Sequence, residues 1–157
     1  MSVWIDTDMG VDDLFAILAV DQHRDIAALS LTFGNAPLPR VVRNGAGAVA
    51  QYGWQFPVYA GADRAVLGGV ETAERILGTR GMPSRGAQLP DLQGHFAPAL
   101  PALAAWLERQ THAEILALGP LTNIAALVMY RPDLVAHIGR LTWMGGGVTR
   151  GNHTASA

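Results

Sequence analysis

Short apolar runs alternate with helix-forming segments along most of the chain, and the runs end at polar residues or glycines. Val3 to Ile5 stops at Asp6, Ala27 to Phe33 at Gly34-Asn35, Glu114 to Leu118 at Gly119-Pro120, and Leu141 to Met144 runs into three glycines. Pro57 to Ala60 has the make-up of another short strand. Between these runs, residues 41–52, 100–109 and 121–130 suit helices, and 133–138 a short one. Residues 12–20 are apolar nearly all round, which predicts a buried helix. Strands alternating with helices predict an α/β fold: an open, mostly parallel sheet with helices on both faces. In such sheets ligands sit beyond the carboxyl ends of the strands. Asp6, Asp8, Asn35, Asn123 and Asn152 all fall there. The 157 residues suit one domain over 1–157, without repeat or linker. Residues 61–98 carry many Gly and Pro and no sustained period, so loops are expected.

Composition narrows the chemistry. A net charge of −2 provides no basic field for nucleic acid or anionic lipid. All 11 cationic side chains are arginine, which removes Schiff bases, phosphate-loop lysines and lysine general bases. Without cysteine there is no disulfide, thiolate nucleophile or thiolate zinc site. Leu14 to Val20 is too short an apolar stretch to span a bilayer, and no basic segment precedes it, so a soluble cytoplasmic protein is expected.

The strongest chemical signal is Asp6-Thr7-Asp8-Met9-Gly10-Val11-Asp12-Asp13. Four carboxylates on a tight strand-to-helix junction repel one another unless protons or a cation neutralise them. Carboxylate oxygens are hard ligands, and no sulfur or clustered histidine competes, so calcium or magnesium is favoured over zinc. Gly10 permits a turn that a side chain would obstruct. Asp12 and Asp13 are adjacent at a helix start, about 100° apart, so one can ligate an ion while the other faces a substrate. The helix N-terminus supports both charges.

These residues resemble the DxDxGxDD signature of nucleoside hydrolases of the inosine–uridine-preferring type. Three later stretches agree in order and spacing: Phe33-Gly34-Asn35, Leu118-Gly119-Pro120-Leu121-Thr122-Asn123-Ile124-Ala125, and Met144-Gly145-Gly146-Gly147 followed by Gly151-Asn152. The resemblance implies an open, Rossmann-like α/β fold and calcium-dependent hydrolysis of the N-glycosidic bond of ribonucleosides. It implies that Asp8 and Asp13 ligate calcium, that Asp8 also takes a proton from the attacking water, and that Asp6 is a supporting or additional ligand. Leu118 is implied to offer its backbone carbonyl to the metal. Asp12 is implied to bind a ribose hydroxyl, and Asn35 to do the same or to orient Asp12. Met144 and Asn152 are implied to line the sugar site near the 5'-hydroxyl. The chemistry is coherent in itself, because carboxylates stabilise oxocarbenium character and a cation-activated water needs a nearby base.

Two departures from the family pattern stand out. A histidine of its mid-chain loop is replaced by Arg80 within Thr79-Arg80-Gly81-Met82. Family members are also roughly twice this length, an ordinary size for one domain. The expectation is therefore an N-terminal portion: a fragment, a truncated product or part of something longer. Two other functions compete. A haloacid-dehalogenase-like magnesium phosphatase would use Asp6-x-Asp8, but the two further acids would repel phosphate and the phosphate-binding lysine is absent. A catalytically incomplete fragment would bind calcium or ribosides without turnover. Self-association as a dimer or tetramer is expected if apolar surface is left uncovered.

Overall fold

The computed structural model describes residues 2–83 and 85–149. Asn152, assigned above to the sugar site, lies outside the described residues. Five strands, β1 (Val3–Thr7), β2 (Ile26–Leu31), β3 (Val58–Ala60), β4 (Ala113–Ala117) and β5 (Ile138–Trp143), form one sheet. Its order is β3-β2-β1-β4-β5, and every pairing is parallel. The helices are α1 (Val11–Asp21), α2 (Leu38–Tyr52), α3 (Glu74–Leu77), α4 (Ala99–Leu107) and α5 (Thr122–Tyr130), with a 3-10 segment over Pro132–His137. The expected open parallel α/β sheet is present.

Strand alternation divides the core into two layers. From β1, Val3 and Ile5 join Leu14 and Ile17 of α1 and Val41 and Ala48 of α2 on one face. Trp4 joins Leu103, Ala104 and Leu107 of α4 and Ile124 and Leu127 of α5 on the other. The Trp4 ring stacks on Tyr59 and leans on Trp106, filling the space between sheet and α4. Helix α1 departs from the expected all-round burial: Asp13, Leu14 and Ile17 are buried, whereas Phe15 is 68% exposed. One helix lying on a sheet covers only one of its own sides, so apolar composition overstated its burial. Glycine at 53, with φ 66°, ends α2 in a left-handed cap that a β-carbon would disfavour. Among the described residues no helix is long and apolar enough to cross a membrane.

The order places the site. Chain progression runs outward from β1 to β3 on one side and from β4 to β5 on the other, so it reverses between β1 and β4. Two connections diverge there and leave a crevice at the carboxyl ends of those strands. β5 is the sheet edge on that side, and Leu141, Trp143 and Met144 remain 42%, 44% and 48% exposed.

Candidate metal and substrate site

After Thr7 the chain must turn from strand to helix within three residues. Met9 makes the turn with φ 54°, and its N–H is satisfied by the Thr7 hydroxyl. A left-handed methionine is uncommon and costs on the order of 1–3 kcal/mol, which its complete burial holds in place. The positive φ therefore sits at Met9, and Gly10 is required for a different reason. A β-carbon at Gly10 would lie 2.3 Å from the Asn35 amide nitrogen and 2.8 Å from an Asp12 oxygen. Gly10 then starts α1, and its N–H donates to Asp13 Oδ2 at 2.6 Å.

The four aspartates separate by depth. Asp8 is held by Asn35, whose backbone N–H donates to Oδ2 at 2.8 Å and whose side-chain amide donates to Oδ1 at 2.9 Å. Asn35 thus orients Asp8; no bond links it to Asp12 among the described residues. Asp13 is buried against Asp8, and its Oδ1 has no hydrogen-bond partner. Asp12, one helical step away, is exposed above them. Asp6 is wholly buried and does not reach the cavity wall. Strand alternation turns it toward α5, where Oδ1 accepts from the Ser30 hydroxyl and from Asn123 Nδ2. Asp6 Oδ2 is buried and unpartnered.

The electrostatics follow from this burial. Desolvation, the facing carboxylate of Asp13 and the charge of Asp12 raise the Asp8 pKa. Burial likewise raises that of Asp13, against the opposing bond from Gly10. Burial pushes Asp6 up to about 7 in spite of its two hydrogen bonds. Three buried carboxyls thus favour either protons or a compensating cation.

A cavity of about 640 Å³ opens above them. Asp8, Asp12, Asp13, Gly34 and Asn35 line it at the acidic end, Leu118 to Leu121 from the β4–α5 connection, and Trp143 to Gly147 from the end of β5. Leu118 and Met144 are therefore both brought to the cavity wall. Glu71, Thr72 and Ala73 also line the cavity, and nothing in the aperiodic 61–98 stretch singled them out. Arg80 does not line it; the guanidinium donates to Gln88 and to the Leu89 carbonyl within its own loop.

The donor set is all oxygen, with two buried oxygens, Asp6 Oδ2 and Asp13 Oδ1, lacking partners, which fits a hard divalent cation. Among the described residues no group of three or more acidic, imidazole or thiol side chains is placed to hold an ion by itself. A cation here would therefore also draw on backbone, water or substrate oxygens. Gly34 makes the close approach possible, since a β-carbon there would lie 2.0 Å from Asp8 Oδ2. Gly34→Ala should therefore push Asp8 off Asn35 and lower stability by about 1–3 kcal/mol. Urea unfolding checks this, and an unchanged midpoint would show that Asp8 moves freely.

Residues 3–157 match the family model described as inosine-uridine preferring nucleoside hydrolase. The chain is 32% identical over 160 residues to the non-specific ribonucleoside hydrolase RihC of Salmonella paratyphi B, covering 100% of this chain and 52% of that protein. A purine-preferring ribonucleoside hydrolase from Gardnerella vaginalis superposes with a TM-score of 0.81 at 25% identity, over 94% of this chain and 49% of the other. A plant nucleoside hydrolase superposes at 0.82 with 30% identity, over 93% and 48%. The chain spans about half the length of the curated relatives it matches.

Proposed function

The chain belongs to the inosine-uridine preferring nucleoside hydrolase family, and from that premise we propose that it hydrolyses the N-glycosidic bond of ribonucleosides to free base and ribose with the help of calcium. The observation that supports this most is the Asp8–Asp13 pair, buried at the acidic end of a nucleoside-sized cavity. Asp8 and Asp13 are the proposed principal ligands, with Leu118 contributing its carbonyl and Asp6 supporting from beneath. Calcium is preferred because the donors are oxygens around a loop, where flexible coordination is easier than a strict octahedron. The bound cation would supply Lewis acidity toward water and the sugar hydroxyls.

The chain's own groups divide the remaining work. Asp8, oriented by two hydrogen bonds from Asn35, accepts the proton of the attacking water. Asp12, exposed above the buried pair, accepts a hydrogen bond from a ribose hydroxyl and fixes the sugar for in-line attack. Met144 packs against the sugar near its 5' end, with Asn152 assigned to the same region. Carboxylates around the ring stabilise the oxocarbenium character that develops as the base departs. Nothing at the site favours the phosphatase alternative, because the acids would repel a phosphate dianion.

Release of reducing sugar from inosine, uridine or adenosine, abolished by chelation and restored by calcium, tests the proposal. Sugar release unaffected by chelator would remove the cation, and none from any nucleoside would leave a riboside-binding chain without turnover. We place the protein in the cytoplasm and expect a dimer or tetramer through the exposed apolar edge at β5. Sedimentation velocity tests the assembly: a single monomeric species at micromolar concentration would remove it.

A further inference from the structure

One buried amide joins Asp6, beneath the acidic end of the cavity, to the root of a segment that lines the same cavity. Asn123, in the first turn of α5, is 6% exposed, and its amide nitrogen donates to Asp6 Oδ1 at 2.7 Å and to the Leu31 carbonyl at 3.2 Å. Its amide oxygen accepts the backbone N–H of Ala62 at 2.8 Å. Both N–H donors and one acceptor site of the side chain are spent on three other parts of the fold: β1, the end of β2, and the segment leaving β3. The fit is tight. A β-carbon at Gly61 would lie 2.3 Å from the Asn123 amide oxygen and 2.4 Å from its nitrogen.

The segment that begins at Gly61 returns to the site. Phe33 N–H donates to the Ala62 carbonyl, and at the far end Ala73 N–H donates to the carbonyl of Gly34, the glycine packed on Asp8. Its last residues, Glu71 to Ala73, form a cavity wall. Both ends of the segment are therefore fastened to groups that touch the aspartates, one through Asn123 and one through Gly34.

We propose that Asn123 is a positioning residue that links the proposed cation to the substrate-facing wall: it holds Asp6 and the root of the 61–73 segment in one hydrogen-bonded joint. Filling the cation site fixes Asp6, Asp6 fixes the amide, and the amide fixes Ala62 and the segment it begins. By reciprocity, disturbing the root of the segment weakens the cation. Ser30 is the informative contrast. It bonds the same Asp6 oxygen but accepts from Trp4 in the core, and its side chain has no hydrogen bond to the segment among the described residues. The joint rests on the cation site proposed above.

The test combines calcium titration calorimetry with amide hydrogen exchange on the intact chain. In the wild type, calcium is expected to slow exchange across residues 61–73. Asn123→Ala should raise the calcium Kd about 10- to 100-fold, the range for residues that orient a ligand. Its 61–73 segment should stay unprotected even when calcium is saturating. Ser30→Ala should also weaken calcium, but saturation should restore the protection. Gly61→Ala, should Asn123→Ala not fold, drives a methyl into the amide from the segment's side and should weaken calcium although residue 61 is no proposed ligand. Full protection of 61–73 in calcium-saturated Asn123→Ala would overturn the joint, as would unchanged calcium affinity in Gly61→Ala. Calcium binding without any change in wild-type exchange would overturn it too, and leave the cation site standing. No binding of calcium, magnesium or manganese by the wild type would remove the cation site and the joint together.

Discussion

Asp8→Asn should lower the proposed ribonucleoside turnover by more than about 10³-fold, since the side chain would lose both its proposed role as general base and the charge proposed to hold the cation. The substitution keeps the size of the side chain, and one of the two Asn35 donors still finds a carbonyl oxygen. The fold should therefore survive. In the metal-free protein at alkaline pH the variant should melt at the same temperature as the wild type or higher, because a buried carboxylate facing Asp13 has been replaced by a neutral amide. Lost turnover and lost calcium affinity with undiminished stability mark a group kept for chemistry, not for folding. Calorimetry, reducing-sugar release and thermal melting on the same samples check the three parts. Turnover above a tenth of wild type would move the base elsewhere, Asp12 being the nearest exposed carboxylate.

How much of this was legible in the sequence depends on the range of the force involved. The strands and helices were, because apolar periodicity is local: the run at 27–33 became Ile26–Leu31, and the Pro57 to Ala60 run became Val58–Ala60. The boundaries moved where tertiary hydrogen bonds extend an element, as at Asp6 and Thr7, which pair with Ser30 and Leu31 although neither is apolar. Asp8, Asp12 and Asp13 were legible because four acids at one junction need a common explanation. Their division by depth was partly legible, since helix geometry separates Asp12 from Asp13. The destination of Asp6 was not, because it depends on which neighbours, Ser30 and Asn123, lie 24 and 117 residues away in the chain. Glu71 to Ala73 were invisible for a related reason. They lie in an aperiodic stretch brought over the cavity by single backbone bonds such as Ala73 to Gly34, and such bonds leave no mark on composition. Arg80 illustrates the converse. A sequence position that suggested a pocket residue is occupied by a guanidinium tied into its own loop.

The metal-free protein should be more stable at pH 5 than at pH 8, and calcium should reverse that order. Asp6 has a folded pKa of about 7 against 3.8 for the free side chain. A carboxyl raised on folding contributes its stability below the unfolded pKa and loses it as pH rises through the folded pKa. For Asp6 that window runs from about pH 4 to somewhat above pH 7, and a shift of this size corresponds to about 4 kcal/mol. Asp8 and Asp13 are raised as well, so they act in the same direction. Asp63, Asp91, Glu114 and Asp133 are shifted down by arginine partners, so their contribution is lost only in acid. Those groups are solvated and screened, and they leave the slope between pH 5 and pH 8 to the buried aspartates. A divalent cation replaces the protons with fixed charge. Its gain in melting temperature should be large at pH 8, where the carboxylates are ionised and repel, and small at pH 5, where protons must first leave. Differential scanning calorimetry with chelator or millimolar calcium at the two pH values measures both effects. A metal-free melting temperature that rises from pH 5 to pH 8 would mean that the aspartates are already neutralised by groups of the chain itself, and the acidic cluster would lose its need for an ion.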